Sequence, residues 1–198
     1  MKKTLMIAFA IVIGVIAIGA MTFGSVYNQL VKSDEAVKSA WSQVENVYQR
    51  RLDLIPNLVE TVKGYAAHER QTLEGVVNAR SKIAQMNISP AIVNDPNMLA
   101  KFQQAQGELS SALSRLLVVI ERYPELKANQ NFLALQTQLE GTENRITVER
   151  KHFNEAAQQF NVLRRTFPNV LIAHFMRFRE KAYFQADAQA AKAPQVKF

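Results

Sequence analysis

Hydrophobic residues recur every three or four positions along most of the chain, a spacing that predicts amphipathic helices with one buried face. The first stripe runs through Val37, Ala40, Val44, Val47 and Leu54. Later stripes lie at 56–86, 96–123 and 129–167, and the last keeps its spacing from Phe132 to Phe167. No segment alternates hydrophobic and polar residues with a period of two, so the pattern argues against a β-fold.

Prolines and capping residues set the predicted helix boundaries. Pro56 lacks an amide donor and favours the first turn of a new helix, so we expect a tight helix–helix turn at Asp53–Pro56. In this turn Asp53 would accept from the free amides that follow. The motif residues are Arg51, Asp53, Pro56 and Asn57. A proline-containing loop is predicted at Asn87–Asn97, with Asp95 as the cap of the third helix.

One fold is predicted by four helices with short connections, at about 25–54, 56–86, 96–123 and 129–167. It is an all-α, antiparallel up-down-up-down four-helix bundle that occupies residues 25–167. Its first helix would continue directly from the apolar N-terminal segment, because nothing between Phe23 and Asp53 breaks the helix.

The N-terminal segment predicts a transmembrane anchor over residues 1–24. Leu5–Phe23 is free of charged and amide side chains, and a helix of this length spans about 30 Å, the thickness of a bilayer core. The anchor positions are Leu5, Ile7, Phe9, Ile11, Ile13, Ile16, Ile18 and Phe23. A cleaved signal peptide is the alternative, although a signal core is usually about 7–15 residues.

Charge and composition narrow the compartment and the partners. The net charge is +7, which favours anionic surfaces, and a membrane anchor favours lipid headgroups over nucleic acid. Lys2 and Lys3 predict a cytoplasmic N-terminus and a bundle on the outer side of the membrane. Nucleic-acid binding is not expected, because the basic residues are dispersed among acidic ones.

Residues 168–185 are predicted to form an apolar and basic segment next to the membrane. In an up-down-up-down bundle the fourth helix ends at the bilayer, and this segment mixes aromatic residues with cations. The interface candidates are Arg164, Arg165, Leu171, Phe175, Arg177, Phe178 and Arg179. Alternatively Leu171, Phe175 and Phe178 fold back onto the base of the bundle, and the two interpretations are compatible. Residues 186–198 are expected to form a mobile or partner-bound tail.

Several polar residues occupy positions of the buried stripes. Counting from the predicted turns puts Glu69 level with Trp41, which predicts an indole–carboxylate hydrogen bond. The same count brings Glu149 within reach of Gln106. This polar seam, Trp41, Glu69, Gln106 and Glu149, either fixes the register of the bundle or lines a pocket for a polar ligand.

The chain offers no recognisable catalytic constellation. His68-Glu69 begins like a zinc-protease helix, but Thr72 stands where that motif needs its second histidine. Cysteine is absent and histidine occurs three times, so no metal-ligand spacing emerges. We therefore expect a non-enzymatic protein without catalytic residues, metal or cofactor.

The sequence RRLDLIPNLV at 50–59, followed by VKGYA at 62–66 and by His68-Glu69, resembles the signature of the LemA family. The similarity extends over nearly the whole chain, with departures at Lys151–Asn154 and at Gln185. The resemblance implies a bacterial protein with one N-terminal membrane segment and an antiparallel helical bundle, and with no agreed reaction. Family members often occur in envelope-stress or membrane-quality contexts, sometimes beside TPM-domain proteins or a membrane metalloprotease, which hints at partners.

Two functions of different classes follow from these features. The first is a structural one, in which the anchored bundle forms a homo-oligomer that scaffolds or shapes the membrane through contacts with lipids. The alternative is a membrane-tethered adaptor that binds an envelope protease or assembly factor through the bundle or the C-terminal tail.

Overall fold

The computed structural model describes residues 2–86 and 88–185, and the described part of the chain is helical with no strand. These described residues form six α-helices, together with a 3-10 turn at Pro90–Asn94 between the second and the third. Their bounds are α1 Lys2–Lys63, α2 Arg70–Ala84, α3 Pro96–Ile120, α4 Pro124–Lys127, α5 Gln130–Arg165 and α6 Asn169–Phe175. The all-helical prediction is confirmed, and the predicted tail, 186–198, lies outside the described residues.

The core lies between α1, α2, α3 and α5, where α1 packs along α5 and α2 packs along α3. Trp41 is at its centre and has no exposed surface. Its ring meets Phe102 of α3 at 5.8 Å and Phe153 of α5 at 5.6 Å between ring centroids, both edge to face. These edge-to-face contacts join three helices at one level of the core.

The predicted turn at Asp53–Pro56 is wrong, because α1 runs through Pro56 without interruption and ends at Lys63. The chain turns at 64–69 instead. Asp53 therefore caps nothing, and it accepts a hydrogen bond of 2.7 Å from the side chain of Gln49.

A side chain from α2 explains how α1 tolerates its internal proline. Pro56 has no amide hydrogen, so the carbonyl of Leu52, four residues earlier, loses its helical donor. The Nε of Arg80 donates to that carbonyl at 3.0 Å. Because Arg80 belongs to α2, the hydrogen bond that replaces the missing helical bond of α1 also joins α2 to α1.

The other predicted helix boundaries agree with the structure to within a few residues. The Asp95 carboxylate accepts from the amides of Asn97 and Met98, as predicted for the cap of α3. Asn129 caps α5 in the same way, accepting from Asn131 and Phe132.

The prediction of a membrane-proximal segment at 168–185 is wrong for its second half. α6 ends in a Schellman motif, in which the amide of Phe178 donates to the Ala173 carbonyl and the amide of Arg177 donates to that of His174. Arg177 takes the left-handed conformation, with φ of 57°. Beyond this turn residues 178–185, here called the C-terminal strap, run back along α5 into the core.

We expect Arg80→Ala to lower the free energy of unfolding by about 1 kcal/mol, because it leaves the Leu52 carbonyl without a donor. Pro56→Ala restores the helical amide, so the loss should shrink towards zero in the double variant. Denaturant unfolding of the detergent-solubilised chain, followed by fluorescence of the single tryptophan, measures both. Equal losses in the two backgrounds would contradict the repair of the helix by Arg80.

Candidate functional site

The C-terminal strap is held by side-chain amides that bind its backbone on both sides. Asn161 of α5 donates to the Lys181 carbonyl and accepts from the Lys181 amide, each at 2.9 Å. Asn154 does the same with Phe184, at 3.0 and 2.9 Å. Gln103 of α3 donates to the Gln185 carbonyl at 2.7 Å and accepts from its amide at 3.2 Å. The strap thus gains strand-like pairing from three side chains instead of a neighbouring strand.

The spacing of these amides matches the geometry of the two backbones. Seven residues of α5 separate Asn154 from Asn161, which is about 10 Å along a helix axis. Three residues of extended chain separate Lys181 from Phe184, again about 10 Å. Helix and strap therefore stay in register without any insertion, and Phe184 is left stacked on Trp41 at 6.0 Å.

Lys181 is a buried cation shared by three parts of the molecule. Its Nζ lies 2.5 Å from Asp34 Oδ1 on α1 and donates to Asn94 Oδ1 at 2.8 Å. It also lies 4.8 Å from the centre of the Phe160 ring. Burial of Asp34 opposes its ionisation, but Lys181 and Lys38 outweigh burial and lower the pKa of this carboxyl.

Between α3 and α5 lies a groove of about 1330 Å³, and the C-terminal strap lines one end of it. Its floor includes Tyr48 and Arg51 of α1, and its walls carry serines, amides and charged side chains from α3 and α5. Beyond Gln185 the wall on the α3 side passes Gly107, where an added Cβ would meet open space. The groove therefore continues past the last described residue of the strap.

Arg51 lies in the middle of α1, not in a turn, and is only 4% exposed. Its Nη2 donates to Ser110 Oγ of α3 at 2.6 Å and lies 3.5 Å from Glu143 Oε2 of α5. Burial lowers the pKa of the guanidinium, whereas Glu143 acts in the opposite direction. Arg51 thus links three helices across the groove floor. Of the other turn-motif residues, Asn57 accepts from Thr61 through its carbonyl oxygen.

The predicted pairs of the polar seam are wrong. Glu69 accepts from Tyr123 Oη at 2.9 Å and from Arg122 Nη2 at 3.1 Å, not from Trp41. The error comes from the turn: because α1 continues to Lys63, Trp41 lies about 33 Å below the end of that helix. Trp41 Nε1 has no hydrogen-bond partner in the described part of the chain.

Gln106 and Glu149 likewise do not meet. Glu149 lies 3.4 Å from Nδ1 of His152 on its own helix. Gln106 is 4% exposed, and neither atom of its amide group has a partner among the described residues. An unpaired amide in such a place is unfavourable, because burial without a hydrogen bond costs about 1–3 kcal/mol.

The predicted interface residues divide between solvent and core. Leu171 and Phe175 of α6 are 63% and 76% exposed, and Phe167 just before α6 is 81% exposed. Phe178 instead packs against Tyr27 and Phe160. Arg165, Arg177 and Arg179 are exposed, whereas Arg164 is partly buried and lies 3.4 Å from Glu180.

The predicted anchor forms the first part of α1. Its side chains are exposed, and the most apolar stretch of the helix has a mean hydropathy of 2.6 with none of it buried. The first buried residues, Val26 and Leu30, pack with Ala173 of α6. α6 therefore lies beside the end of the apolar part of α1. α6 and the part of α1 around Val26 and Leu30 are here called the base of the molecule.

The C-terminal strap and the residues that hold it were not predicted from the sequence. The only local signal is the seven-residue spacing of Asn154 and Asn161 on the buried side of a long helix. Lys181 carried no signal, because a lysine beside Arg177 and Arg179 reads as part of an exposed basic cluster.

These features define a helical protein with an exposed apolar N-terminal helix, which fits a single-pass membrane protein. The sequence model of the LemA family matches residues 40–198, and the chain belongs to this family. Protein LemA of Metamycoplasma hominis is 25% identical over 183 residues, 90% of this chain and 78% of that protein. Family membership and the apolar helix together indicate a membrane-associated envelope protein.

The chain is also similar to two magnetosome proteins. Magnetosome protein MamQ 2 of Paramagnetospirillum magneticum is 26% identical over 175 residues, and MamQ of Magnetospirillum gryphiswaldense is 26% identical over 174. Each match covers 80% of this chain but only 64% of the relative, so the chain spans less than two thirds of the magnetosome proteins.

We expect Asn154→Leu to loosen the C-terminal strap, because both of its bonds to Phe184 are lost. Tryptophan fluorescence should shift to the red as water reaches Trp41, and the amides of 182–185 should exchange at least about tenfold faster, since each lost bond contributes about 1 kcal/mol. Asn144→Leu, an exposed change on the same helix, is the matched control. Identical exchange in the two variants would contradict this role of Asn154.

Acid should weaken the attachment of the strap at Asp34. The pKa of Asp34 is lowered in the folded protein, so its contribution is complete above the ordinary value of 3.8 and is lost as the pH falls through the lower folded value. Asp34→Asn removes this contribution at neutral pH. The difference in unfolding free energy between the two proteins should therefore shrink as the pH drops below about 4. A difference that does not change with pH would contradict the assignment.

Proposed function

We propose that the protein is a non-enzymatic, single-pass protein of the bacterial inner membrane whose helical body self-associates to scaffold or shape that membrane. One observation carries the proposal: a single 62-residue helix supplies both an exposed apolar anchor and a central element of the core. The relatives, a LemA protein and magnetosome proteins, are not named as enzymes, which fits a structural role.

The anchor and the helical body share one continuous helix, which supports a fixed orientation of the body relative to the anchor. Phe23 is the last of the predicted anchor positions, and Val26 is already buried against the base. Because no flexible linker separates the two parts, the body cannot rotate independently of the membrane helix. A scaffold needs such a fixed angle, since copies that tilt freely cannot pack in a regular array.

The base supports a second contact with lipid. The exposed rings of Phe167 and Phe175 lie beside the point where α1 leaves its apolar part, and arginines flank them. Arg177 also supports this contact. Its left-handed backbone conformation is about 1 kcal/mol less favourable for arginine than for glycine. A cation held there at such a cost suits a site next to phosphate headgroups.

The contacts between helices support the antiparallel four-helix arrangement. Along α1 from Val26 to Arg51 the partners on the last long helix and its extension descend from Ala173 to Glu143. Between α2 and α3, Glu69 pairs with Arg122 whereas Lys82 pairs with Glu108. We infer an up-down-up-down bundle that stands on the base, with the N-terminus in the cytoplasm.

The oligomer is tested by the mass of the full-length protein in mild detergent beside a chain that begins at Lys32. We expect a discrete assembly for the former and a monomer for the latter, because removal of the anchor and of Leu30 takes away the membrane helix and opens the base. A full-length protein that is monomeric at every workable concentration would refute self-association.

The lipid contact is tested with spin labels, since the chain contains no cysteine of its own. A label at Phe175→Cys in a nanodisc should be accessible to oxygen and shielded from a water-soluble nickel complex. Val148→Cys, another exposed apolar position, higher on α5, is the control and should show the reverse. Equal nickel accessibility at both sites would contradict the membrane-facing base. An impermeant maleimide that fails to reach Val148→Cys from the periplasm would contradict the orientation.

The groove between α3 and α5 favours the adaptor as a second candidate. It is large, carries polar and charged side chains, and is lined at one end by an extended segment, as a site for a partner's peptide would be. Removal of residues 187–198 separates the two functions: an adaptor that uses the tail loses its partner, whereas a scaffold keeps its size.

A further inference from the structure

We propose, on the basis of the adaptor candidate, that the groove between α3 and α5 binds the carboxylate groups of an acidic, extended peptide from a partner protein. The centre of this site is the groove floor, where Tyr48 and Arg51 of α1 lie close to Arg150 of α5. A carboxylate can accept hydrogen bonds from guanidinium groups and from a phenol at the same time.

Arg51 is a buried cation that its surroundings satisfy only in part. It is 4% exposed and lines the groove. Its Nη2 donates to Ser110 Oγ at 2.6 Å and lies 3.5 Å from Glu143 Oε2, whereas Nε and Nη1 have no hydrogen bond to a described residue. Glu143 is 53% exposed, so water weakens its attraction for the guanidinium. A further carboxylate in the groove would bind Arg51 through charge-assisted hydrogen bonds.

Arg150 is fixed at the groove by neutral partners. Its Nη2 donates to the Gln185 carbonyl at 3.0 Å, and its Cζ lies 4.7 Å from the centre of the Phe184 ring. No described carboxylate forms an ion pair with this guanidinium. The charge of Arg150 is therefore positioned but not neutralised, so a bound anion gains attraction without ordering a mobile side chain.

Tyr48 lies one helical turn before Arg51 and adds a hydroxyl group to the floor. Burial, the largest influence, raises the pKa of this phenol, although the charges of Arg150 and Arg51 act in the opposite direction. The phenol therefore stays protonated at neutral pH and can donate a hydrogen bond to an anion.

The charge of the groove lining favours an acidic ligand. Five cations and three carboxylates line the groove. Residues outside the lining neutralise one of these cations and two of these carboxylates, in the pairs Lys181 with Asp34, Glu108 with Lys82 and Glu180 with Arg164. Four arginines and one carboxylate, Glu143, are then left in the lining, and this excess of positive charge attracts an acidic partner.

The position and size of the groove favour a peptide over other anions. Arg51 follows Val26 by 25 residues, about 37 Å along α1, so lipid headgroups at the base do not reach it. The groove is also larger than the roughly 300–1,000 Å³ of a usual small-molecule site. Ser110, Ser111 and Ser114 line its α3 side, where their hydroxyl groups can bind backbone N–H and C=O groups. An extended acidic peptide offers both backbone groups for the serines and carboxylates for the arginines.

Fluorescence anisotropy with the full-length protein in detergent tests the proposal. The probe is a short, dye-labelled peptide of alternating serine and glutamate with both ends capped, and the matched peptide has glutamine in place of every glutamate. We expect the glutamate peptide to bind at least about tenfold more tightly at low ionic strength, and salt to reduce this difference. Equal affinity for the two peptides overturns the proposal.

Variants of the groove locate the binding. Arg150→Gln and Arg115→Gln should each weaken binding of the glutamate peptide several-fold, and both leave Arg51 and its links between helices in place. Arg145→Gln, an exposed change on α5 outside the groove lining, is the matched control and should bind as the unaltered protein does. Far-ultraviolet circular dichroism checks that each variant is folded. Equal losses in the groove variants and the control overturn the proposal, because any loss of positive charge would then have the same effect.

Inorganic phosphate distinguishes a peptide site from a site for a small anion. We expect phosphate to displace the labelled glutamate peptide no better than chloride does at equal ionic strength. Displacement by phosphate at an ionic strength at least about tenfold below that of chloride overturns the proposal. The mass of the assembly tests the scaffold and removal of residues 187–198 tests the tail, so failure of either is distinct from failure of the groove to bind the peptide.

Discussion

One helix, α1, carries surfaces suited to two different environments, hydrocarbon and water. The first third of α1 exposes apolar side chains all around, as hydrocarbon requires, whereas the rest exposes a polar surface and buries one stripe. The change occurs within a few residues of Phe23, where the base packs around Val26 and Leu30. Several other elements are attached to this helix: α5 packs along it, α2 bonds to it through Arg80, and Lys181 joins the strap to it at Asp34.

The strap solves a packing problem that four helices leave open. α3 and α5 line opposite sides of a groove, and the aromatic core around Trp41 would face water through it. An extended segment is narrower than a helix, so it fits where a fifth helix would not, but it brings unpaired backbone groups into a buried place. Asn154, Asn161 and Gln103 satisfy those groups, and Phe184 completes the shell around the indole ring.

Helical periodicity and capping residues predicted most of the secondary structure and the membrane-like segment, because these depend on local composition. The predicted break at Pro56 is wrong for a nonlocal reason: the carbonyl that Pro56 leaves without a donor is bonded by Arg80 of α2, which lies 24 positions after the proline. That error shifted the turn and, with it, the pairing of Trp41 and Glu69. The C-terminal strap could not be predicted for a similar reason, because an extended segment whose backbone pairs with side-chain amides leaves no periodic pattern in the sequence. Arg51 was recognised as important, but its role as a link between three helices depends on Ser110 and Glu143.

The unbroken continuation of α1 has a mechanical consequence. A transmembrane helix adjusts its tilt to the local thickness of the bilayer. The part of α1 above the base is about 60 Å long at 1.5 Å per residue, so a tilt of roughly 10° displaces its far end sideways by about 10 Å. In the proposed membrane scaffold this helix is a lever: a small change in bilayer thickness becomes a large change in the spacing between the distant ends of neighbouring copies.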